Sequence, residues 1–124
     1  MTLEELTDVV IQARKKGAEA SSAVYERMCD KNPRRGNLRG LCGGAHIMIK
    51  LDGRTRLARL LKMASQKIDD FSFGPSYERG IKLVHIRGMH DRQEREVDIA
   101  ATGAVLAVLM EKLRVFGYLE TYYS

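Results

Sequence analysis

Several residue types are scarce in this chain of 124 residues, and each scarcity excludes a class of protein. Cysteine and proline occur only twice each, which excludes a disulfide scaffold and a proline-rich linker protein. The longest nearly unbroken apolar run, residues 99–110, has 12 residues, well short of the roughly 20 needed to cross a bilayer. We therefore expect no membrane partner.

A secretory signal is also missing from the sequence. The first ten residues, MTLEELTDVV, carry acids where a signal peptide has a basic start and an apolar stretch. We therefore expect an intracellular location, either cytoplasmic or in the nucleus or nucleoid. In such a reducing compartment Cys29 and Cys42 are expected as thiols, and a disulfide between them is the less favoured alternative.

The composition that remains is that of an ordinary globular domain. Hydrophobic residues make up 44% and charged residues 30% of the chain, and its length suits one core. We divide it into an N-terminal amphipathic helix over residues 1–31, a basic Gly/Arg-rich loop over residues 32–44 and a compact α/β domain over residues 45–124.

The N-terminal helix is predicted from a capping box and a helical period. Thr2 and Glu5 stand three residues apart, as the reciprocal cap requires. Small and apolar residues then recur at steps of three and four: Leu3, Leu6, Val10, Ala13, Gly17, Ala20 and Val24. Pro33 is expected to end this helix by disfavouring helical dihedrals in the residue before it.

Residues 45–51 alternate apolar and polar side chains, which predicts a strand, and Asp52 and Gly53 then turn the chain. A second helix follows, with an apolar face of Leu57, Leu60, Leu61, Ala64 and Ile68 and with Arg56, Arg59 and Lys62 on its other side. Asp52 is also a candidate N-cap of this helix. In that position its carboxylate would accept hydrogen bonds from the free backbone amides of the first helical turn.

The second half of the chain is predicted as a loop over residues 69–80, a strand over residues 81–87 and a third helix that ends near Gly117 as a C-cap. The final YLETYYS fits a short third strand or a tail. The predicted class is therefore α+β with an α/β-like order, and the helix between two strands implies a parallel crossover.

Two strands cannot hold a core alone, and the third helix is apolar nearly all round. We therefore expect dimerisation to complete or cover the small sheet, giving a homodimer or larger oligomer. Small residues on the third helix are the predicted oligomer interface: Ala100, Gly103, Ala104, Ala107 and Val108. The alternative is that the N-terminal helix covers the third helix within one chain.

Positive charge is concentrated in one block. Between Lys31 and Lys62 there are nine basic residues and one acid, Asp52, a local charge of +8 within a chain of net charge +5. A cationic block in an otherwise slightly acidic molecule indicates a surface directed at a polyanion.

The stretch AHIMIKLDGRTRLARLL, the later KLVHIRG, a long helix and a tyrosine-rich end resemble the Alba family of small nucleic-acid-binding proteins, which includes the Alba-type subunits of ribonuclease P. The resemblance covers residues 45–124. It implies a strand, a basic turn, a helix, a second strand ending in Arg-Gly, a second helix and a final hairpin, usually in a dimer that binds DNA or RNA. Arg54 and Arg56 would occupy the basic turn, and Arg87-Gly88 the Arg-Gly step. The sequence departs from the family at MHDRQERE, where small apolar residues are usual.

Nucleotide-binding glycine motifs are rejected, because GNLRGLCGG precedes a strand whereas the dinucleotide fingerprint and the P-loop follow one. Cys42, His46, His85 and His90 are residue types that bind zinc, but their spacing matches no strong zinc motif. The histidines also suit acid–base catalysis, yet no nucleophile motif accompanies them. We expect no metal, no cofactor and no catalytic residue.

The sequence therefore predicts binding of DNA or RNA, mainly through phosphates and with weak sequence specificity. With no tryptophan and few aromatics in the basic block, stacking of bases on that block is expected to be minor. The alternative is a small interaction or inhibitor protein that binds an acidic protein or a phosphorylated small ligand. The predicted nucleic-acid-binding residues are Arg34, Arg35, Arg39, Arg54, Arg56, Arg59, Lys62 and Arg87.

Overall fold

The computed structural model describes residues 1–31, 42–92 and 94–123, except for the side chains of residues 29–31. These ranges contain three helices and four strands: α1 (Leu3–Lys31), β1 (Gly43–Lys50), α2 (Arg56–Lys67), β2 (Phe71–Pro75), β3 (Ile81–Ile86), α3 (Arg95–Leu113) and β4 (Phe116–Tyr123). The predicted α+β class is confirmed. The predicted binding residues Arg34, Arg35 and Arg39 lie outside the described residues.

The four strands form one antiparallel sheet in the order β2-β3-β1-β4. Each of α2 and α3 connects two parallel strands that have a third strand between them, which is the split β-α-β arrangement of ferredoxin-like sheets. The predicted parallel pair is wrong, because the strand at residues 81–87 pairs antiparallel with β1. β2, inside the predicted loop at residues 69–80, is the strand that runs parallel to β1.

One face of the sheet packs against the helices. Ile47 and Ile49 of β1 share a core cluster with residues of all three helices, among them Leu6, Leu61 and Val105. The alternation predicted for β1 is confirmed at these positions, and His46 and Lys50 are exposed on the opposite face.

α3 is buried between α1 and the sheet, which explains why its sequence is apolar on most sides. Val105 and Leu109 are fully buried, and α1 covers them with Val10 and Ala13. The predicted interface residues Ala100, Gly103, Ala104, Ala107 and Val108 are partly or fully exposed along the outer side and margin of this helix. The apolar composition therefore needs no second copy of the chain to explain it, and the oligomer remains a prediction.

Gly117 does not cap α3, contrary to the sequence prediction. The helix ends at Leu113, and Arg114 takes the left-handed cap conformation with φ of 54°. Gly117 lies inside β4, where a Cβ atom would stand 2.8 Å from the carbonyl oxygen of Met48. This glycine is therefore required for close approach of strands and core, not for a turn.

The capping box of α1 is confirmed. The Glu5 amide donates to Thr2 Oγ1, and the Thr2 amide donates to Glu5 Oε1, each at 3.2 Å. No membrane-spanning helix is found in the ranges that the structure describes.

Candidate anion-binding cleft

A cleft of about 410 Å³ opens at the end of the sheet where β1 finishes. Its walls are the turn between β1 and α2 and the tip of the β2–β3 hairpin, which are joined by a hydrogen bond from the Leu51 amide to the Gly80 carbonyl at 3.1 Å. We call it the cationic cleft, and its lining residues are Lys50, Leu51, Asp52, Gly53, Arg54, Arg79, Gly80 and Lys82.

Four cationic residues and one acidic residue line this cleft. Lys50 comes from the end of β1, Arg54 from the following turn, and Arg79 and Lys82 from the hairpin. The Lys82 ammonium lies across the turn, 3.6 Å from where a Cβ atom on Gly53 would stand. Cationic residues from segments about thirty residues apart in sequence thus line one concave surface with a net positive charge.

The only acid of the cleft, Asp52, is held by Arg54. Its Oδ1 accepts the Arg54 backbone amide at 2.9 Å, and its Oδ2 accepts the guanidinium Nη2 at 3.2 Å. These hydrogen bonds lower the pKa of Asp52 and raise the pKa of Arg54. The carboxylate therefore stays ionised and fixes the orientation of a guanidinium that remains largely exposed.

Asp52 is not the N-cap of α2. That role belongs to Thr55, whose Oγ1 accepts the Ala58 amide at 3.2 Å and donates to the Asp52 carbonyl at 2.8 Å. The helix starts at Arg56, so Asp52 lies too early in the chain to cap it.

α2 extends the positive surface away from the cleft. Arg56, Arg59 and Lys62 are exposed on its outer side, as the helical period predicts, because Ala58, Leu61 and Ala64 occupy the core side. The Arg59 guanidinium donates to the Arg54 carbonyl at 2.9 Å. This bond connects the helix to the cationic cleft.

Arg87 lies elsewhere. It follows β3, which runs antiparallel to β1, so it is separated from the cleft by the length of β3, about 20 Å. Its guanidinium points toward the Asp69 carbonyl at 3.4 Å. The structure therefore brings together Arg54, Arg56 and Arg59 but not Arg87.

Sequence reasoning missed Arg79 and Lys82 as site residues, and it counted Lys50 only as part of the charged block. Lys50 stands at the end of a correctly predicted strand and could have been placed in the site. Arg79 and Lys82 needed the antiparallel pairing of β3 with β1, which the predicted parallel crossover excluded.

The three histidines lie at the other end of the sheet. His46 stacks on Tyr122 with ring centroids 4.8 Å apart, and His90 Nε2 is 2.8 Å from Asp98 Oδ1. Burial and the nearby Arg87 lower the pKa of His85. Cys42 is a free, exposed thiol. Within residues 42–92 and 94–123 and the described part of α1, no three His, Cys, Asp or Glu side chains are grouped to hold a metal ion.

Comparisons of the chain with protein-family models, with curated protein sequences and with solved structures find no match.

Proposed function

We propose that this protein binds nucleic acid through its phosphates, with the cationic cleft as the centre of the contact. The observation that supports this most is the convergence of Lys50, Arg54, Arg79 and Lys82 on one concave surface. Arginine suits bidentate contacts to phosphate, whereas lysine acts as a compact point charge.

The charges of the cleft are available to a ligand. In the described part of the chain Lys50 and Arg79 form no ion pair, while Asp52 is already neutralised by Arg54. An incoming phosphate therefore meets a net positive charge, because four cationic residues line the cleft and only one acid does. Arg56 and Arg59 on α2 lengthen the positive surface, which suits a polyanion better than a single phosphate.

Phosphate contacts position a protein on nucleic acid but carry no sequence information. We therefore propose weak sequence specificity, with DNA and RNA as alternative ligands. An intracellular location belongs to the same proposal. The homo-oligomer predicted through Ala100, Gly103, Ala104, Ala107 and Val108 is a separate proposal.

The experiment that tests the proposed function is a binding titration with fluorescently labelled oligonucleotides over a series of salt concentrations. Each phosphate contact contributes about one to the slope of log affinity against log salt. Arg79→Ala is therefore expected to weaken binding and to reduce the slope by about one. Arg54→Ala should do the same, although it also leaves Asp52 without its partner.

Lys15→Ala is the matched control, since it removes an exposed cation from α1, which does not line the cleft. Its slope should equal that of the unmodified protein. A salt-independent affinity, or equal effects of Arg79→Ala and Lys15→Ala, would contradict the proposal.

A second candidate function is binding of a phosphorylated small molecule. The cleft volume of about 410 Å³ favours it, because small-molecule sites usually measure about 300–1,000 Å³. Affinity that rises with oligonucleotide length indicates nucleic acid. A mononucleotide that competes fully with longer oligonucleotides at similar concentration indicates the small ligand.

A further inference from the structure

The sheet has a second face that carries most of the exposed aromatic side chains of the molecule. We call the open face the side that bears His46, Met48 and Lys50 of β1, since the buried residues of the helices cluster with Ile47 and Ile49 on the other side. Direct pairing with β1 places Phe116, Tyr118 and Tyr122 of β4 on this face. Phe116 is 62% exposed and Tyr122 is 40% exposed.

The aromatic residues of this face form a row along β4, in which Phe116 and Tyr118 are two residues apart and Glu120 stands between Tyr118 and Tyr122. Alternate residues of a strand are about 6.8 Å apart, which is twice the 3.4 Å rise of stacked bases in a duplex strand. Neighbouring rings of this row therefore cannot contact consecutive stacked bases. They fit bases that are unstacked and spread out, as in an extended single strand.

The tip of the β2–β3 hairpin, residues 76–80, crosses the open face. β2 and β4 are the two edge strands, about 14 Å apart, yet the Tyr77 hydroxyl hydrogen-bonds to Glu120 and the Tyr118 hydroxyl lies 3.5 Å from Glu78. The tip covers the middle of the face, where Met48 is only 1% exposed. The Tyr77 ring itself is 79% exposed and adds a further aromatic surface.

The hydroxyls of Tyr77 and Tyr118 are engaged by Glu120 and Glu78, and one face of the Tyr122 ring is covered by His46. Hydrogen bonding to Glu120 raises the pKa of Tyr77 to about 12, and its hydroxyl stays protonated as a donor. The carboxylates of Glu78 and Glu120 repel phosphate, but they can accept hydrogen bonds from the N–H groups of unpaired bases. The exposed rings beside the tip, Phe116 and Tyr77, therefore suit bases rather than backbone.

Phosphates have their own place directly beside the row. Lys50 belongs to the cationic cleft and pairs with Phe116 across β1 and β4. Cations for the backbone and rings for the bases thus meet at this pair. This juxtaposition of charge and aromatic surface suits a nucleic acid with accessible bases.

We infer that the open face binds unpaired bases, and that the protein is specific for single-stranded over double-stranded nucleic acid. The inference rests on the proposed function, because the cationic cleft holds the backbone. It also revises the expectation of minor stacking, which counted only the aromatics of the basic block. The register of β4 brings rings from the far end of the sequence to that surface.

The test measures binding of the full chain to three probes of equal length: oligothymidylate, an abasic oligonucleotide and a duplex. Base stacking on an aromatic ring is worth about tenfold in affinity. The unmodified protein should bind oligothymidylate at least that much more tightly than either other probe. Phe116→Ala should remove about tenfold of this preference without changing the salt slope.

Two further variants make the test specific. Phe116→Trp restores a ring and should restore the preference. Tyr123→Ala removes a ring that is also 62% exposed but packs on the Arg95 guanidinium, on the helix side of β4, so it should leave the preference unchanged.

The outcomes separate the two proposals. Equal, steeply salt-dependent binding of all three probes, unaffected by Phe116→Ala, would overturn the inference and leave the proposed function in place. If none of the probes binds in a salt-dependent manner, the proposed function fails, and the inference that rests on it fails too.

Discussion

The half-buried pair of His90 and Asp98 ties the loop after β3 to the first turn of α3 and to β1. Asp98 Oδ1 forms a hydrogen bond with His90 Nε2 at 2.8 Å, and Asp98 Oδ2 accepts one from the Ala45 amide at 2.9 Å. Burial opposes ionisation of Asp98, but these hydrogen bonds outweigh it and lower its pKa. The carboxylate in turn raises the pKa of His90.

His90 and His85 are expected to affect stability in opposite ways as the pH changes. A raised pKa in the folded state means that the stability from His90 is complete below its unfolded pKa, about 6.5, and is lost as pH rises through the folded value. The pKa of His85 is lowered by burial, so its contribution is present at higher pH and lost as pH falls.

We therefore expect His90→Asn and His85→Asn to change the pH slope of the free energy of unfolding in opposite directions. Unfolding is measured in urea between about pH 5 and 8. His90→Asn removes a contribution that falls with pH, and His85→Asn removes one that rises with pH. Slopes that change in the same direction in both variants would contradict this assignment.

At the level of elements, the contact between α1 and α3 depends on a glycine. A Cβ atom on Gly17 would stand 3.0 Å from Val105 Cγ2 and 3.1 Å from the Ala101 carbonyl oxygen, and it would overlap the sulfur of Met89. The two helix backbones therefore approach as closely as they do because Gly17 has no side chain. In the sequence Gly17 is only one of the small residues of the helical repeat.

Two helical glycines should respond in opposite ways to alanine. Alanine gains about 1 kcal/mol over glycine in a helix interior, but at position 17 overpacking of about 1–3 kcal/mol outweighs that gain. Gly17→Ala is therefore expected to lower the free energy of unfolding. Gly103→Ala should raise it, because its Cβ atom meets only Leu119 Cδ1 at 3.8 Å. Chemical denaturation of both variants checks the pair, and stabilisation by Gly17→Ala would show that the helices separate freely.

The sequence predicted those features of the fold that depend on residues close together in the chain. The capping box, the apolar face of α2 and the alternation of β1 each depend on neighbours within one turn or one strand. β2 could not be found in this way, because FSFGP is a five-residue edge strand that contains both glycine and proline. β2 is the strand that returns parallel to β1, so that β3 can pair antiparallel with both, and the pairing of β3 with β1 brings Arg79 and Lys82 to the cleft.

At the scale of the whole molecule, α1 is part of the same core as the sheet rather than an added segment. Leu6 of α1 and Leu61 of α2 are both fully buried and belong to one cluster. The division of the chain into a helix, a loop and a separate compact domain describes the sequence. It does not describe independent units of packing.

A single cooperative unfolding transition follows from this shared core. Leu6→Ala and Leu61→Ala should each lower the free energy of unfolding by about 2–5 kcal/mol, and each should move the whole transition. Far-UV circular dichroism and tyrosine fluorescence should report the same midpoint in each variant. An early separate transition in Leu6→Ala alone would show that α1 unfolds independently.

The hairpin tip at residues 76–80 belongs to both surfaces, since Arg79 and Gly80 line the cleft while Tyr77 and Glu78 lie over the open face. We therefore expect occupation of one surface to change the affinity of the other through this five-residue segment. By thermodynamic linkage, an anion in the cleft changes the affinity of the open face by the same factor by which a ligand on that face changes affinity for the anion. If both proposed contacts form, we expect a free phosphate to modulate base binding as well as to compete for the cleft.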